Sequence, residues 1–91
     1  MKTFNDLKFN LHPNPKFDTQ AIMFFKNGYG ISVITGKDAY SDDENPYECA
    51  VIKGNKRIWY MVYDTPITND VIGFCDENKV TEIMKQIQEL W

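Results

Sequence analysis

Ala21-Ile22-Met23-Phe24-Phe25-Lys26-Asn27-Gly28-Tyr29-Gly30-Ile31-Ser32-Val33-Ile34 decides the fold, because it sets two apolar runs on either side of one Asn-Gly pair. A tight two-residue hairpin turn needs positive φ at both central residues, and Asn-Gly tolerates it. The stretch therefore reads as two antiparallel strands. Counting outward from the turn pairs Lys26 with Tyr29, Phe25 with Gly30, Phe24 with Ile31, Met23 with Ser32 and Ile22 with Val33. Strand side chains alternate between faces, so Ile22, Phe24, Ile31 and Val33 share one face, the better candidate for the core. Met23 and Phe25 fall on the other face, where the Phe25 ring can lie across the bare backbone of Gly30.

A second hairpin follows from the same logic. Tyr47 to Lys53 and Lys56 to Tyr63 flank Gly54-Asn55, and a two-residue turn there pairs Val51 with Ile58, Cys49 with Tyr60 and Tyr47 with Val62. The opposite face brings Ala50 to Trp59 and Glu48 to Met61. With Tyr63 it is unusually apolar for a solvent side, so part of the domain covers it or a partner binds it.

Before the first hairpin, Leu7, Phe9 and Leu11 alternate up to His12-Pro13-Asn14-Pro15, a pattern for a short edge strand and a loop. After the second, the turn-rich Asp64-Thr65-Pro66-Ile67-Thr68-Asn69-Asp70 leads to a last short strand over Val71 to Phe74. Asp76 is placed to cap a helix, Glu77 suits its first turn, and Val80, Ile83, Met84, Ile87 and Leu90 recur at helical spacing. Sixteen residues of helix have one apolar stripe and only a sheet to bury it on. The expected fold is α+β: an antiparallel sheet of four to five strands, including two hairpins, with one C-terminal helix packed on one face.

Ninety-one residues, 43% hydrophobic and 25% charged, suffice for one domain over 1–91 and exclude a multidomain enzyme. The 14% aromatic content excludes a disordered tail. The longest apolar run, Ile58 to Tyr63, is far too short to span a membrane. A net charge of -3 has the wrong sign for a chain that holds nucleic acid by its phosphates. Met1 to Lys16 is broken by polar residues too often for a secretory signal, which points to the cytoplasm.

Charge is unevenly distributed. Asp38, Asp42, Asp43, Glu44 and Glu48 crowd the connector between the hairpins, where Lys37 is the sole base. Their spacing lacks the alternating ligands and turn glycine of an EF-hand loop, so no metal is expected. The cluster either imitates the negative field of a nucleic acid toward a basic groove on another protein or is a solvated connector. Cys49 and Cys75 lack CxxC spacing and read as small buried hydrophobes. Cys75 lies just before the helix start, where a dipole lowers a thiol pKa, but without a basic neighbour in sequence. Asp64 and Asp70 suit loop capping better than acid–base work, and His12 has no nucleophile near it. No catalytic residue and no cofactor are expected. The candidate partner-binding residues are Asp38, Asp42, Asp43, Glu44, Glu48, Trp59 and Tyr63.

Three segments carry a resemblance: Asn27-Gly28-Tyr29-Gly30-Ile31-Ser32-Val33, Tyr47-Glu48-Cys49-Ala50-Val51 and Tyr63-Asp64-Thr65-Pro66-Ile67-Thr68-Asn69-Asp70-Val71-Ile72-Gly73-Phe74. Together they resemble a group of short bacteriophage and prophage proteins without an assigned activity, over about three quarters of the chain. The Tyr-Asp-Thr-Pro-Ile-Thr segment is the specific part, and no functional residue carries over. The resemblance implies a protein that acts in a bacterial host by binding one host protein, as inhibitors of CRISPR effectors and other nucleic-acid-binding defence complexes do. From a different class comes the alternative of a homo-oligomer, a dimer at simplest, that binds a small ligand such as a nucleotide.

Overall fold

The computed structural model describes residues 1–90. A 3-10 turn at Phe4–Asp6 precedes β1 (Asn10–Leu11), β2 (Thr19–Phe24), β3 (Tyr29–Ile34), β4 (Tyr47–Gly54), β5 (Trp59–Met61), β6 (Ile72–Cys75) and α1 (Glu77–Gln88). Strands β1 to β5 lie side by side in chain order, each antiparallel to the next. β6 pairs antiparallel with the first residues of β4, on the edge whose other end carries β5. The α+β class, the two hairpins and the helix on one face are as the sequence implies, and the two-residue β1 brings the sheet to six strands.

The first hairpin is one residue out of the expected register: Ala21 pairs with Val33, Met23 with Ile31 and Phe24 with Gly30. Its loop has three residues, Lys26-Asn27-Gly28, closed by Phe25 N donating to Tyr29 O at 2.8 Å and Gly28 N to Phe25 O at 3.1 Å. Gly28 has φ 85° while Asn27 keeps an ordinary negative φ. The asparagine serves through its side chain instead: Nδ2 donates to the carbonyls of Ile87 at 2.9 Å and Leu90 at 2.7 Å, and Oδ1 accepts from Tyr29 N at 3.1 Å. A slip of one residue turns β2 over. Ala21, Met23 and Phe25 consequently join the core beneath α1, and Ile22 and Phe24 face away from it. Phe24 rather than Phe25 lies against Gly30, where an added Cβ would sit 2.9 Å from Phe24 Cδ1 and collide with the Met23 carbonyl.

The second hairpin is four residues out of the expected register, with Ile52 opposite Met61, Lys53 opposite Tyr60 and Gly54 opposite Trp59. Gly54 ends β4, and the loop is Asn55-Lys56-Arg57-Ile58. Asn55 builds it: its Oδ1 accepts from Arg57 N at 2.9 Å and Ile58 N at 3.1 Å, and its N–H donates to Ile58 O at 2.9 Å. A shift by an even number preserves the faces, so Trp59 and Met61 still share the outer face with Ala50 and Ile52.

Asp76 caps α1 by accepting from Lys79 N at 2.8 Å, and Val80, Ile83, Met84 and Ile87 are buried. They close over Ala21, Ile31, Val33, Cys49, Val51 and Cys75. Each such side chain contributes roughly 1.5–3 kcal/mol, which makes this stripe the main reason the helix exists. The helix runs 12 residues, about 18 Å, rather than sixteen. It stops because Glu89 N turns back to Gln86 O at 3.2 Å while Asn27 takes the last carbonyls. The final position of the expected helix, Trp91, lies outside the described residues.

The N-terminal residues form a strap beside α1 as well as the expected edge strand. Lys2 exchanges two hydrogen bonds with the Gln88 side chain, at 2.9 and 2.8 Å, and Phe4 N donates to Thr81 Oγ1 at 3.1 Å. The rings of Phe4 and Phe9 pack on Tyr47 with centroids at 5.1 and 5.7 Å, sealing the core at the start of β4.

Candidate functional site

The sheet face away from α1 buries apolar side chains without a helix. Ile52 is fully buried, and Ile34, Ala50 and Ser32 nearly so. Part of this cover is the loop between β1 and β2. His12 N donates to Asp18 O at 3.0 Å, Asn14 N donates to His12 Nδ1 at 2.9 Å, and the imidazole packs tilted against Phe17 with ring centroids 4.8 Å apart. His12 is thus half-buried in a loop fold.

A groove of about 320 Å³ remains between that loop and β5. Ser32, Ile34 and Ala50 form its floor, His12, Pro13 and Phe17 one wall, and Trp59 and Met61 the other. Its polar lining is sparse. Gln20 Nε2 donates to Ser32 Oγ at 3.3 Å, and Glu48 is the one formally charged side chain in the lining. An apolar cleft with a few fixed polar groups is the usual form of a binding site.

Glu48 also anchors the acidic loop, since its Oε1 accepts from Tyr40 N at 2.8 Å. Tyr40 O in turn accepts from Phe74 N at 2.8 Å, and Gly73 packs so closely on Tyr40 that a Cβ there would lie 2.6 Å from Tyr40 Cβ. Phe74 reaches this contact with φ 55°, a left-handed conformation that costs a non-glycine residue of order 1–2 kcal/mol. The loop is therefore clamped between β4 and β6. Within it, Asp42 Oδ1 accepts from Glu44 N at 3.0 Å and Asn45 N at 2.7 Å, so this carboxylate shapes the turn.

The seven candidate residues do not form one surface. Glu48 and Trp59 meet in the groove. Asp43 and Glu44 border a shallow depression with Asp76 and Glu77 at the start of α1. Asp38 is exposed, Asp42 is tied into its turn, and Tyr63 lies beside β5 with its hydroxyl on Met61 Sδ at 2.9 Å. Phe25 and Tyr29 pack against the helix-side core, and Lys53 Nζ stands 4.9 Å over the Tyr29 ring. Sequence reasoning missed His12, Phe17, Gln20 and Ile34 as groove residues. No sequence signal marks them, because a proline-rich loop folding back over a sheet face is a tertiary event.

Among the described residues the ion pair present is Lys79–Glu82 at 4.0 Å on the exposed face of α1. Asp38, Asp42, Asp43, Glu44 and Glu48 therefore have no described cationic side chain in contact. Beneath α1, Cys49 and Cys75 are both fully buried and free. The neighbouring Cys75 thiol, with burial, pushes Cys49 up, and the Cys49 thiol in turn holds Cys75 below its ordinary value. Burial, with the Glu77 carboxylate nearby, raises Tyr47. No three of the described His, Cys, Asp and Glu side chains converge as metal ligands do, and no described helix is long and apolar enough to cross a membrane. Neither protein-family models, curated proteins nor solved structures give a match to the chain.

Proposed function

We propose that this chain is a non-catalytic inhibitor that holds one host protein against its outer face, and that this protein is a nucleic-acid-binding defence effector of the CRISPR type. One observation carries the reading: Glu48 lines the apolar groove beside Trp59 and also pins the acidic loop through Tyr40. Apolar anchor and negative field are thereby held in fixed relation, which is what a rigid binder needs. An effector that grips nucleic acid presents lysine and arginine, and carboxylates free of internal ion pairs complement them without first breaking a contact. The resemblance to phage proteins is what supports setting this proposed encounter in the cytoplasm of a bacterial host. A nucleotide ligand has weaker support, because the charged group in the groove is a carboxylate, which repels phosphate.

The test is plaque formation by a targeted phage on bacteria with active CRISPR interference. Expression of the chain should restore plaques. The triple variant Asp38→Lys, Asp43→Lys, Glu44→Lys should lose at least about tenfold of that restoration while melting as the parent does. Asp42 is left alone because it holds the loop's shape. Absence of restoration by the parent chain, or full restoration by the variant, contradicts the proposal.

A further inference from the structure

The groove on the outer face is polar at one end and apolar at the other, and the sheet register orders the two. Gln20, Ile34 and Glu48 lie opposite one another on β2, β3 and β4, so their side chains stand in one row across the face. Ser32 and Ala50 form the next row, and Ile52 with Met61 the one after, followed by Gly54 with Trp59. Successive rows are about 7 Å apart along the strands. Trp59 and Met61 nonetheless wall the same cavity as Glu48, with Ala50 on the floor between them. The space is an apolar trough that ends on a carboxylate.

The hydrogen-bonding groups left over in the polar row are acceptors. Glu48 Oε1 accepts from Tyr40 N at 2.8 Å, and among the described residues no donor meets Oε2. Gln20 commits Nε2 to Ser32 Oγ at 3.3 Å, which leaves its Oε1 to accept. No described lysine or arginine lines the cavity. Whatever closes over the groove takes Glu48 out of water, and an apolar occupant would leave that carboxylate buried without a partner, at high cost. A phosphate would be repelled. The occupant must combine an apolar stem with a cationic head.

We propose that the groove is a pocket for one arginine side chain of the bound protein. Its methylene stem lies over Ala50 between the Trp59 and Phe17 walls, and its guanidinium reaches one row on, to Glu48 Oε2 and Gln20 Oε1 above Ile34. Arginine fits better than lysine. Its planar, weakly hydrated head lies flat on apolar and aromatic surface and offers several N–H groups to separate acceptors, whereas an ammonium is a compact, strongly hydrated charge. The inference rests on the reading of this face as the one that holds a host protein, but its test needs no effector.

NMR titration of the intact, isotope-labelled chain with N-acetyl-arginine-N-methylamide, a single blocked arginine, provides that test. The Trp59 indole N–H signal, identified by its loss in Trp59→Phe, and the amide signals of Ser32 and Ala50 should shift and saturate at millimolar concentration. The matching citrulline compound keeps the shape but replaces the guanidinium with an uncharged urea, and should bind at least about tenfold more weakly. Glu48→Gln keeps an acceptor for Tyr40 N, so the loop stays anchored, and should bring arginine down to the citrulline level. No shift at these signals, equal binding of the two compounds, or undiminished arginine binding by Glu48→Gln each overturns the proposal. Tighter binding of free arginine than of the blocked residue overturns it too, since that marks a metabolite site. Plaques that fail to return while arginine is selectively bound contradict the proposed function and leave the pocket standing; plaques restored without selective arginine binding do the reverse.

Discussion

The side-chain amide of Asn27 caps the end of the C-terminal helix, donating to the carbonyl of Leu90 at 2.7 Å from a turn 63 residues earlier in the chain. One asparagine thus closes a hairpin through Oδ1 and a helix through Nδ2, and in doing so fixes which face of β2 meets the core. Asn27→Ala removes these bonds and exposes unsatisfied carbonyls. It should cost about 1–3 kcal/mol in urea unfolding, whereas Lys26→Ala in the same loop should cost less than about 0.5 kcal/mol.

Gly28 and Gly30 should respond differently to alanine. Gly28 has open space around its missing side chain and suffers only from its φ of 85°, so Gly28→Ala should lose about 1–2 kcal/mol. At Gly30 an alanine meets the Met23 carbonyl and the Phe24 ring in a buried strand pair, with no flexible neighbour to yield. Gly30→Ala should lose more than about 3 kcal/mol or fail to fold, as thermal melting would show.

Alkaline pH should weaken the fold in two stages. Cys49 starts from an ordinary value of 9.0 and Tyr47 from 10.0, and both are raised in the folded chain. The folded state then keeps protons that the unfolded state releases, so stability falls as pH rises past 9 and again past 10. Cys75, which is held down, acts in the opposite sense only below 9 and contributes a constant above it. Unfolding free energy against pH should therefore slope downward above 9, and Tyr47→Phe should flatten the part above 10. In the native protein neither buried thiol should react with a disulfide reagent until the chain unfolds.

Within the acidic loop the carboxylates should separate by role. Asp42→Ala loses two backbone hydrogen bonds and should cost about 0.5–2 kcal/mol, as the loss of a helix cap does. Asp43→Ala should be neutral within about 0.5 kcal/mol. Measured melting temperatures should differ accordingly while net charge changes equally in both.

What could be read in advance was local. Asp76 and the spacing of Val80, Ile83, Met84 and Ile87 specify a helix within one short window, and the structure keeps it. The existence of both hairpins was legible from their turn residues for the same reason. Their registers were not, since Asn27 answers to a helix end remote in sequence and Asn55 folds a four-residue loop through its side chain. The candidate site divides along the same line. The acidic loop and the apolar outer face are written in the sequence, while the pairing of Glu48 with Trp59 depends on where the His12 to Phe17 loop comes to rest.

Hydroxyl-radical footprinting of the chain, free and mixed with the CRISPR-type effector proposed as its partner, addresses the groove most directly. Trp59 and Met61 line the groove, whereas Val80, Ile83, Met84 and Ile87 of α1 pack on the opposite face of the sheet. The account predicts that oxidation of Trp59 and Met61 drops in the complex while Phe4 and Tyr29, on the helix side, change little. Unchanged oxidation of Trp59 and Met61, with new protection of Phe4 or Tyr29, would contradict it.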